Sequence, residues 1–390
     1  GAKLEPELEG VIERRIHAYS NYIEGVMHIA QRYDIWIRIS KKSFQKGLNS
    51  FEYIGKVLCR LFKSELPIIE KMQVTFLTDS EKVKEHLTEA MKIYDARDAR
   101  ARGLKDEEVD TFYGCVLCQS FAPTHCCVIT PQRYSNCGAI SWFDGRAAAS
   151  IDPKGPVFPI EKGDLLDPVK GEYSGVNEAV KKKTLGEITR VWLYTGFGYP
   201  HTSCGCFEGV AFYIPEVDGF GIVDRAYRDV TVNGLAFSSL ADSTAGGRQV
   251  DGFHGISIEY MRSPKFLQAD GGWKRVVWMP KAVKERVKDF ISAEIAEKVA
   301  TEEEAKAIDE LKAFLMEHGH PIVERWKEEV IAVEEAVPAE TKEEVPAVPF
   351  VTAATLPVTA GGFRIILKDA KIYAKKVIIR SVKSEKSEKG

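Results

Sequence analysis

No apolar run in this 390-residue chain is long enough to span a bilayer, and no signal-peptide pattern opens it. Neither sign of charge is in excess: 54 Lys and Arg stand against 57 Asp and Glu, a net charge of −3. Composition therefore gives no reason to expect nucleic acid or a membrane as a partner. An internal repeat is also missing, which removes solenoids and arrays from consideration. The chain opens Gly1-Ala2-Lys3 without Met, as a processed or trimmed chain would. The expected compartment is the cytoplasm.

Cysteine is scarce but crowded. Five of the eight cysteines fall between Gly114 and Gly138, in GCVLCQSFAPTHCCVITPQRYSNCG, and two more form Cys204-Gly205-Cys206. An ordinary core does not need seven thiols in two short loops. In a long chain without an export signal, C-x-x-C and C-x-C spacings favour metal ligation over disulfides. Cys59, alone in an apolar helical segment, reads as a small buried hydrophobe.

The length exceeds what one hydrophobic core usually supports. The expected class is mixed α/β and multi-domain: a small N-terminal α/β domain over 1–103, then a larger metal-cluster domain over 104–330. A linker rich in Pro, Glu and Ala follows at 331–361, a C-terminal β segment at 362–382, and a disordered tail at 383–390.

The apolar spacing predicts an amphipathic helix over 6–33, a strand at Ile35–Ile39, a helix at about Ser50–Glu70 and a strand at Gln73–Thr78. Asp79 or Ser80 then caps a helix running to about Arg100. Arg14, Arg15, Arg32, Arg38, Lys41 and Lys42 could bind a phosphate-rich ligand, although a solvated face is the simpler reading of any one of them. Beyond a boundary near Gly103, strands are expected at Val191–Tyr194, Val210–Ile214, Gly255–Tyr260 and Arg275–Met279. Two helices close the domain. The first covers Ala282–Val299; the second starts at a capping box of Thr301 and Glu304 and stops at Gly319 and Pro321.

Cys115 and Cys118 form a C-x-x-C pair, with Cys127 and Cys137 following. Four thiolates from one loop hold either a structural zinc or a cubane iron–sulfur cluster. The nine residues between Cys127 and Cys137 suit separate corners of a cubane better than a zinc knuckle. Spacing alone does not choose between Cys126 and Cys127. Phe121, Ala122 and Pro123 supply an apolar wall, and His125 is either a ligand or a hydrogen-bonding loop residue.

Cys204-Gly205-Cys206 is more specific. Its two sulfurs are too close for two corners of a cubane. Both can bind one metal if the deprotonated amide nitrogens of Gly205 and Cys206 complete a square plane, a geometry of Ni(II) or Cu(II). Glycine lets the backbone wrap the metal without a side chain in the way. Two thiolates and two amidates outweigh the metal's charge, so the sulfurs stay nucleophilic and can bridge to a second metal.

The cysteine loop and its continuation to Pro156, together with GYPHTSCGCFE, YIPEVDGFGIV and GISIEYMRSPKFLQADGGW, resemble acetyl-CoA synthase, the catalytic partner of carbon monoxide dehydrogenase. The likeness spans roughly Leu8 to Arg325 and begins within the family's middle domain, which implies a short form without the N-terminal domain. It implies a 4Fe-4S cluster on Cys115, Cys118, Cys127 and Cys137, with Cys126 an extra thiol. It further implies two nickel ions. The distal one is held by Cys204, Gly205 and Cys206; the proximal one is bridged by the sulfurs of Cys118, Cys204 and Cys206 and walled by Phe121. The implied acyltransferase reaction joins CO, a methyl group from a corrinoid iron–sulfur protein, and coenzyme A. Met27 stands where bacterial relatives are expected to carry an aromatic residue.

Three other readings compete. A non-catalytic iron–sulfur or zinc protein, carrying electrons or scaffolding a complex, needs only the first loop and leaves Cys204-Gly205-Cys206 without a role. A thiol–disulfide oxidoreductase using Cys115 and Cys118 needs a βαβ context that Gly114-Cys115 does not follow. His318 and His320 suggest a further metal, but histidines compatible with a helix C-terminal dipole explain them more simply.

Overall fold

Four separate sheets, flanked by helices, make the chain a mixed α/β protein among its described residues. The computed structural model describes residues 5–30, 35–66, 70–100, 102–120, 122–198, 208–244 and 248–326. Gly1–Ala336 form one compact unit and Val337–Gly390 another. The second unit lies outside the described residues, as do the expected linker past residue 330, the C-terminal β segment and the tail.

The first helix, α1 (Glu5–Asn21), is shorter than the apolar spacing predicts, because the chain reverses at Gly25. That glycine has φ +77°, and a Cβ there would overlap Ser43 Oγ. Part of the expected helix is instead β1 (Val26–Ala30), antiparallel to β2 (Ile35–Ile39), and its positions 31–33 lie outside the described residues. A short α2 (Lys41–Gln45) leads to α3 (Phe51–Glu65), which Ser50 caps by accepting from Glu52 N. The expected strand Gln73–Thr78 forms no ladder among the described residues. It is an extended stretch in which Val74 and Phe76 are half-buried. Asp79 accepts from Lys82 N and caps α4 (Ser80–Ala99), as expected.

The basic residues of this region divide, and Arg32 lies outside the described residues. Arg14 is buried beside Glu13, and Arg15 pairs with Glu65 and Asp152. Arg38, Lys41 and Lys42 are exposed.

The cysteine-bearing sheet follows: β3 (Thr111–Cys115) runs antiparallel to both β4 (Cys127–Ile129) and a later strand, with α5 (Trp142–Ile151) packed on it. That later strand is β5 (Val157–Glu161). A small hairpin, β6 (Leu165–Asp167) with β7 (Glu172–Tyr173), and α6 (Ser174–Lys183) come next. Val191–Tyr194 is not a strand. Its Val191, Leu193 and Tyr194 are buried, but Leu193 N and Tyr194 N bond to the Lys170–Gly171 turn.

The larger sheet has the order β10-β8-β9-β11, built from β8 (Gly209–Ile214), β9 (Gly219–Asp224), β10 (Phe253–Ile256) and β11 (Val276–Trp278). α7 (Phe237–Thr244) precedes β10. Only the β9–β11 pair is parallel. The sheet is buried on both faces, with Val210, Phe212 and Ile214 in one core and Ala211, Phe220 and Ile222 in another. The expected strand to Tyr260 ends early, since Glu259–Arg262 is a 3₁₀ turn.

The expected helix Ala282–Val299 is two pieces, α8 (Lys281–Val287) and α9 (Ala293–Ala296), which bury Val283, Val287 and Ile295, with Ile291 buried in the link between them. Thr301 donates both its N and its Oγ1 to the Glu304 carboxylate, but the pair closes a turn; the last helix among the described residues, α10, starts later, at Ile308–Glu317. Among the described residues no helix is long and apolar enough to cross a membrane.

Candidate metal centre

The pleat of β3 sorts its residues onto two faces. Phe112 joins the core that holds Val128, Phe158 and Ile160, and Gly114 lies beneath the Phe158 ring, where a Cβ would come within 2.2 Å of it. Tyr113 and Cys115 face the opposite core. Cys115 and Cys127 are direct partners in the antiparallel register. Such partners project from the same face with Cβ atoms roughly 4.5–5.5 Å apart. Both are buried, at 6% and 4% exposure.

Cys118 lies in the 3₁₀ turn Leu117–Ser120 that leaves β3, and its carbonyl accepts from Ala122 N at 2.9 Å. Cys137 lies in a turn closed by Gly138 N to Ser135 O at 2.7 Å, with Ser135 Oγ 3.3 Å from its sulfur. Both thiols are half-buried and pack against the core that holds Cys115 and Cys127. Two thiols thus stand on a rigid sheet and two on turns nearer the surface.

The neighbouring Cys126 goes the other way. Alternation along β4 places it in the core of Phe112 and Val128. Burial there pushes its thiol up to about 12. His125 Nε2 lies 3.2 Å from Cys127 Sγ, in reach for an N–H to sulfur bond.

The donor set fits a cationic metal group. Burial raises Cys115 well above an ordinary thiol, and repulsion from Cys127 and Cys137 raises it further. Thiols that oppose one another's ionisation become a stable thiolate set only when a positive group sits among them. Among the described residues, no three His, Cys, Asp or Glu side chains are gathered tightly enough for a single ion.

Phe121, Cys204, Gly205 and Cys206 lie outside the described residues, but the flanks of the Cys204–Cys206 segment are described. On the entry side, Gly198 N donates to Thr195 Oγ1 at 2.8 Å, and that hydroxyl donates to Asp270 Oδ1 at 2.6 Å. On the exit side, Glu208 accepts from Ile258 N at 3.2 Å and from Arg286 Nη2 at 2.6 Å. The residue before Ile258 is Ser257, whose N donates to Asn136 O at 2.8 Å. The exit flank is therefore tied, through two consecutive backbone amides, to the loop of Cys137.

Several buried polar residues that bond to the loop between Cys127 and Cys137 carry no signal in the sequence. Asp106 is fully buried; it accepts from Tyr194 OH at 2.8 Å and Gln132 N at 2.9 Å, and desolvation raises its carboxyl. Arg133 is 1% exposed and His254 is fully buried. In a linear reading Arg133 and Asn136 are ordinary polar loop residues; only their burial singles them out. The C-terminal histidines divide. His318 bonds Phe314 O at the end of α10, as a helix-end histidine should. His320 is instead buried, with Nε2 3.1 Å from Val276 O, and burial lowers it to about 4.

This fold and thiol arrangement accompany a clear family match. The family described as the C-terminal part of the ACS/CODH beta subunit matches residues 94–327, and the family of the CO dehydrogenase/acetyl-CoA synthase complex beta subunit matches residues 1–83. The chain belongs to this beta-subunit family. It is 55% identical to the acetyl-CoA decarbonylase/synthase complex subunit beta of Methanothermobacter thermautotrophicus, over 97% of this chain and 84% of that one. With subunit beta 2 of the same complex from Methanocaldococcus jannaschii it shares 56% identity, over 97% and 82% of the two chains. A solved C-terminal domain from the alpha subunit of acetyl-coenzyme A synthase is 38% identical, covering 31% of this chain and 95% of that domain, with a TM-score of 0.28.

Proposed function

We propose that this chain is the acetyl-CoA-forming subunit of such a complex, joining CO, a corrinoid-borne methyl group and coenzyme A in an acyl transfer. Cys115, Cys118, Cys127 and Cys137 would hold a 4Fe-4S cluster. Cys204, Gly205 and Cys206 would hold a distal nickel, with Cys118, Cys204 and Cys206 bridging to a proximal one beside Phe121. The supporting partners are carbon monoxide dehydrogenase and a corrinoid iron–sulfur protein. The division near Gly103 into an N-terminal and a cluster-bearing domain belongs to the same reading.

The observation that carries it is the sorting of the thiols. Cys115 and Cys127 are paired on one face, Cys118 and Cys137 pack on the same core, and Cys126 faces away. When bound, the metal group supplies an electron-rich, sulfur-ligated centre at which the two one-carbon units are brought together. The chain's own part is placement. The sheet fixes two sulfurs, the half-buried turns leave the other two accessible, and His125 is placed to donate to the Cys127 sulfur.

Anaerobic metal analysis of the purified chain, paired with an assay supplying CO, a methyl-corrinoid and coenzyme A, tests the reading. The expected outcome is about two irons per nickel and acetyl-CoA formed. Iron without nickel, and no product after nickel is supplied, would leave the chain an electron-transfer or scaffold subunit.

A further inference from the structure

The loop between Cys127 and Cys137 turns one charged side chain inward. Thr130 and Arg133 exchange backbone hydrogen bonds at 3.0 and 3.2 Å, a tight turn that aims the Arg133 guanidinium into the protein. There it is 1% exposed.

All three of its nitrogens are engaged. Nε donates to Leu193 O at 2.9 Å, Nη1 to Val128 O at 2.5 Å, and Nη2 to Asn136 Oδ1 at 3.1 Å. The plane also lies 5.1 Å from the Tyr260 ring centroid. Val128 directly follows Cys127, and Asn136 directly precedes Cys137. One rigid fork therefore ties together the two backbone positions that carry the third and fourth cysteines of the loop. Asn136 extends the tie: its Oδ1 is 3.6 Å from Cys127 Sγ, and its Nδ2 is 3.0 Å from His254 Nε2.

The charge matters as well as the fork. A buried cation is costly unless negative charge lies nearby. Thiolate-ligated iron–sulfur clusters carry excess negative charge, and each electron they accept adds to it. A fixed positive charge beside Cys127 stabilises the reduced form more than the oxidised one, and net charge and hydrogen bonding are recognised determinants of cluster potential.

We propose that Arg133 is a positioning residue that sets the span between Cys127 and Cys137 and, through its buried charge, raises the reduction potential of the cluster they hold. The proposal rests on the cluster assignment made above. Its two parts separate on substitution. Arg133→Lys keeps the charge but cannot bridge Val128 O and Asn136 Oδ1. Arg133→Gln removes the charge and keeps part of the hydrogen bonding.

The experiment reconstitutes the full chain anaerobically with iron and sulfide, omitting nickel. Cluster reduction by dithionite, one electron per cluster, is followed by electron paramagnetic resonance at a series of fixed potentials, and retained iron is measured after gel filtration. In Arg133→Gln the ratio of reduced to oxidised cluster at a given potential should fall at least tenfold, which for one electron is 59 mV. In Arg133→Lys that ratio should stay within about threefold of the wild type, while retained iron falls several-fold.

A folded Arg133→Gln chain with the wild-type potential overturns the charge part. Wild-type iron retention in Arg133→Lys overturns the clamp, and it decides the matter even if Arg133→Gln fails to fold. If the wild-type chain itself takes up no iron, the cluster assignment falls and the proposal with it. Iron uptake with identical potentials and equal iron retention in the variants leaves the cluster assignment standing and removes Arg133 alone.

Discussion

Adjacent residues in this chain have opposite fates. Cys126 and Cys127 are chemically identical, yet the pleat sends one into the apolar layer of Phe112 and Phe158 and the other towards Cys115. Cys126→Ala should therefore leave iron content unchanged and lower stability by about 1 kcal/mol, the effect of trimming a small buried side chain. Cys127→Ala should remove most of the iron. Parallel iron assays and thermal melts check both, and iron loss in Cys126→Ala would mean that the pairing of faces is misassigned. His320 carries a separate, pH-dependent effect. Its ordinary value of 6.5 is lowered to about 4, because burial disfavours the imidazolium. Between those values the unfolded chain binds a proton that the folded chain refuses, so stability is intact above 6.5 and is lost as pH falls towards 4. A shift of that size corresponds to at most roughly 3 kcal/mol. Urea unfolding at pH 7 and pH 5 should show a larger loss in the wild type than in His320→Gln. An equal loss in both would place the acid sensitivity elsewhere.

At the scale of elements, local chemistry was readable and pairing was not. The caps at Ser50 and Asp79 form as their sequences imply, because a side-chain acceptor facing nearby amides needs no distant partner. The apolar spacing over 6–33 misleads because Gly25 breaks it, and one glycine weighs little in a periodicity. Gln73–Thr78 has strand composition, but a ladder needs a neighbour, and the described residues supply none. Gly138 is the counterpart within the cysteine loop. Its φ is +72°, and a Cβ would lie 2.5 Å from both Ser257 Oγ and Glu259 Cβ. Gly138→Ala combines left-handed strain with a close contact, and should destabilise by roughly 2–4 kcal/mol. Because that contact adjoins the Ser257 to Asn136 hydrogen bond, the variant should also lose iron faster to a chelator than a surface Gly47→Ala control, whose Cβ meets nothing within 4 Å. Equal chelation rates would show that the turn is not coupled to the thiols.

Across the whole molecule, the candidate site draws on segments far apart in sequence, and this is where reading the chain alone stops. The cysteines announced themselves by spacing. Arg133, Asn136 and His254 did not, because a buried polar residue looks like a surface one until the fold encloses it. Arg286 is the most distant of these parts. From α8 it donates to Glu208 at 2.6 Å and to Asp224 at 3.5 Å, two carboxylates whose side chains are only 7% and 6% exposed. Glu208 follows Cys206 by two positions, and its other oxygen holds Ile258 N, beside the amide that bonds Asn136. Removing Arg286 leaves two buried carboxylates without this cation. The guanidinium is itself 46% exposed, so the loss should be about 1–3 kcal/mol, below that of a fully buried pair. The informative effect is selective. In Arg286→Ala the four cysteines of the first loop keep their sheet and turns, so iron should be retained. The exit flank of the Cys204–Cys206 segment loses its anchor, so nickel should dissociate several-fold faster. Anaerobic iron and nickel analysis through a dialysis series reads both at once. Parallel loss of the two metals would indicate general loosening of the fold, and unchanged nickel retention would mean that the Glu208 anchor does not bear on the Cys204-Gly205-Cys206 site.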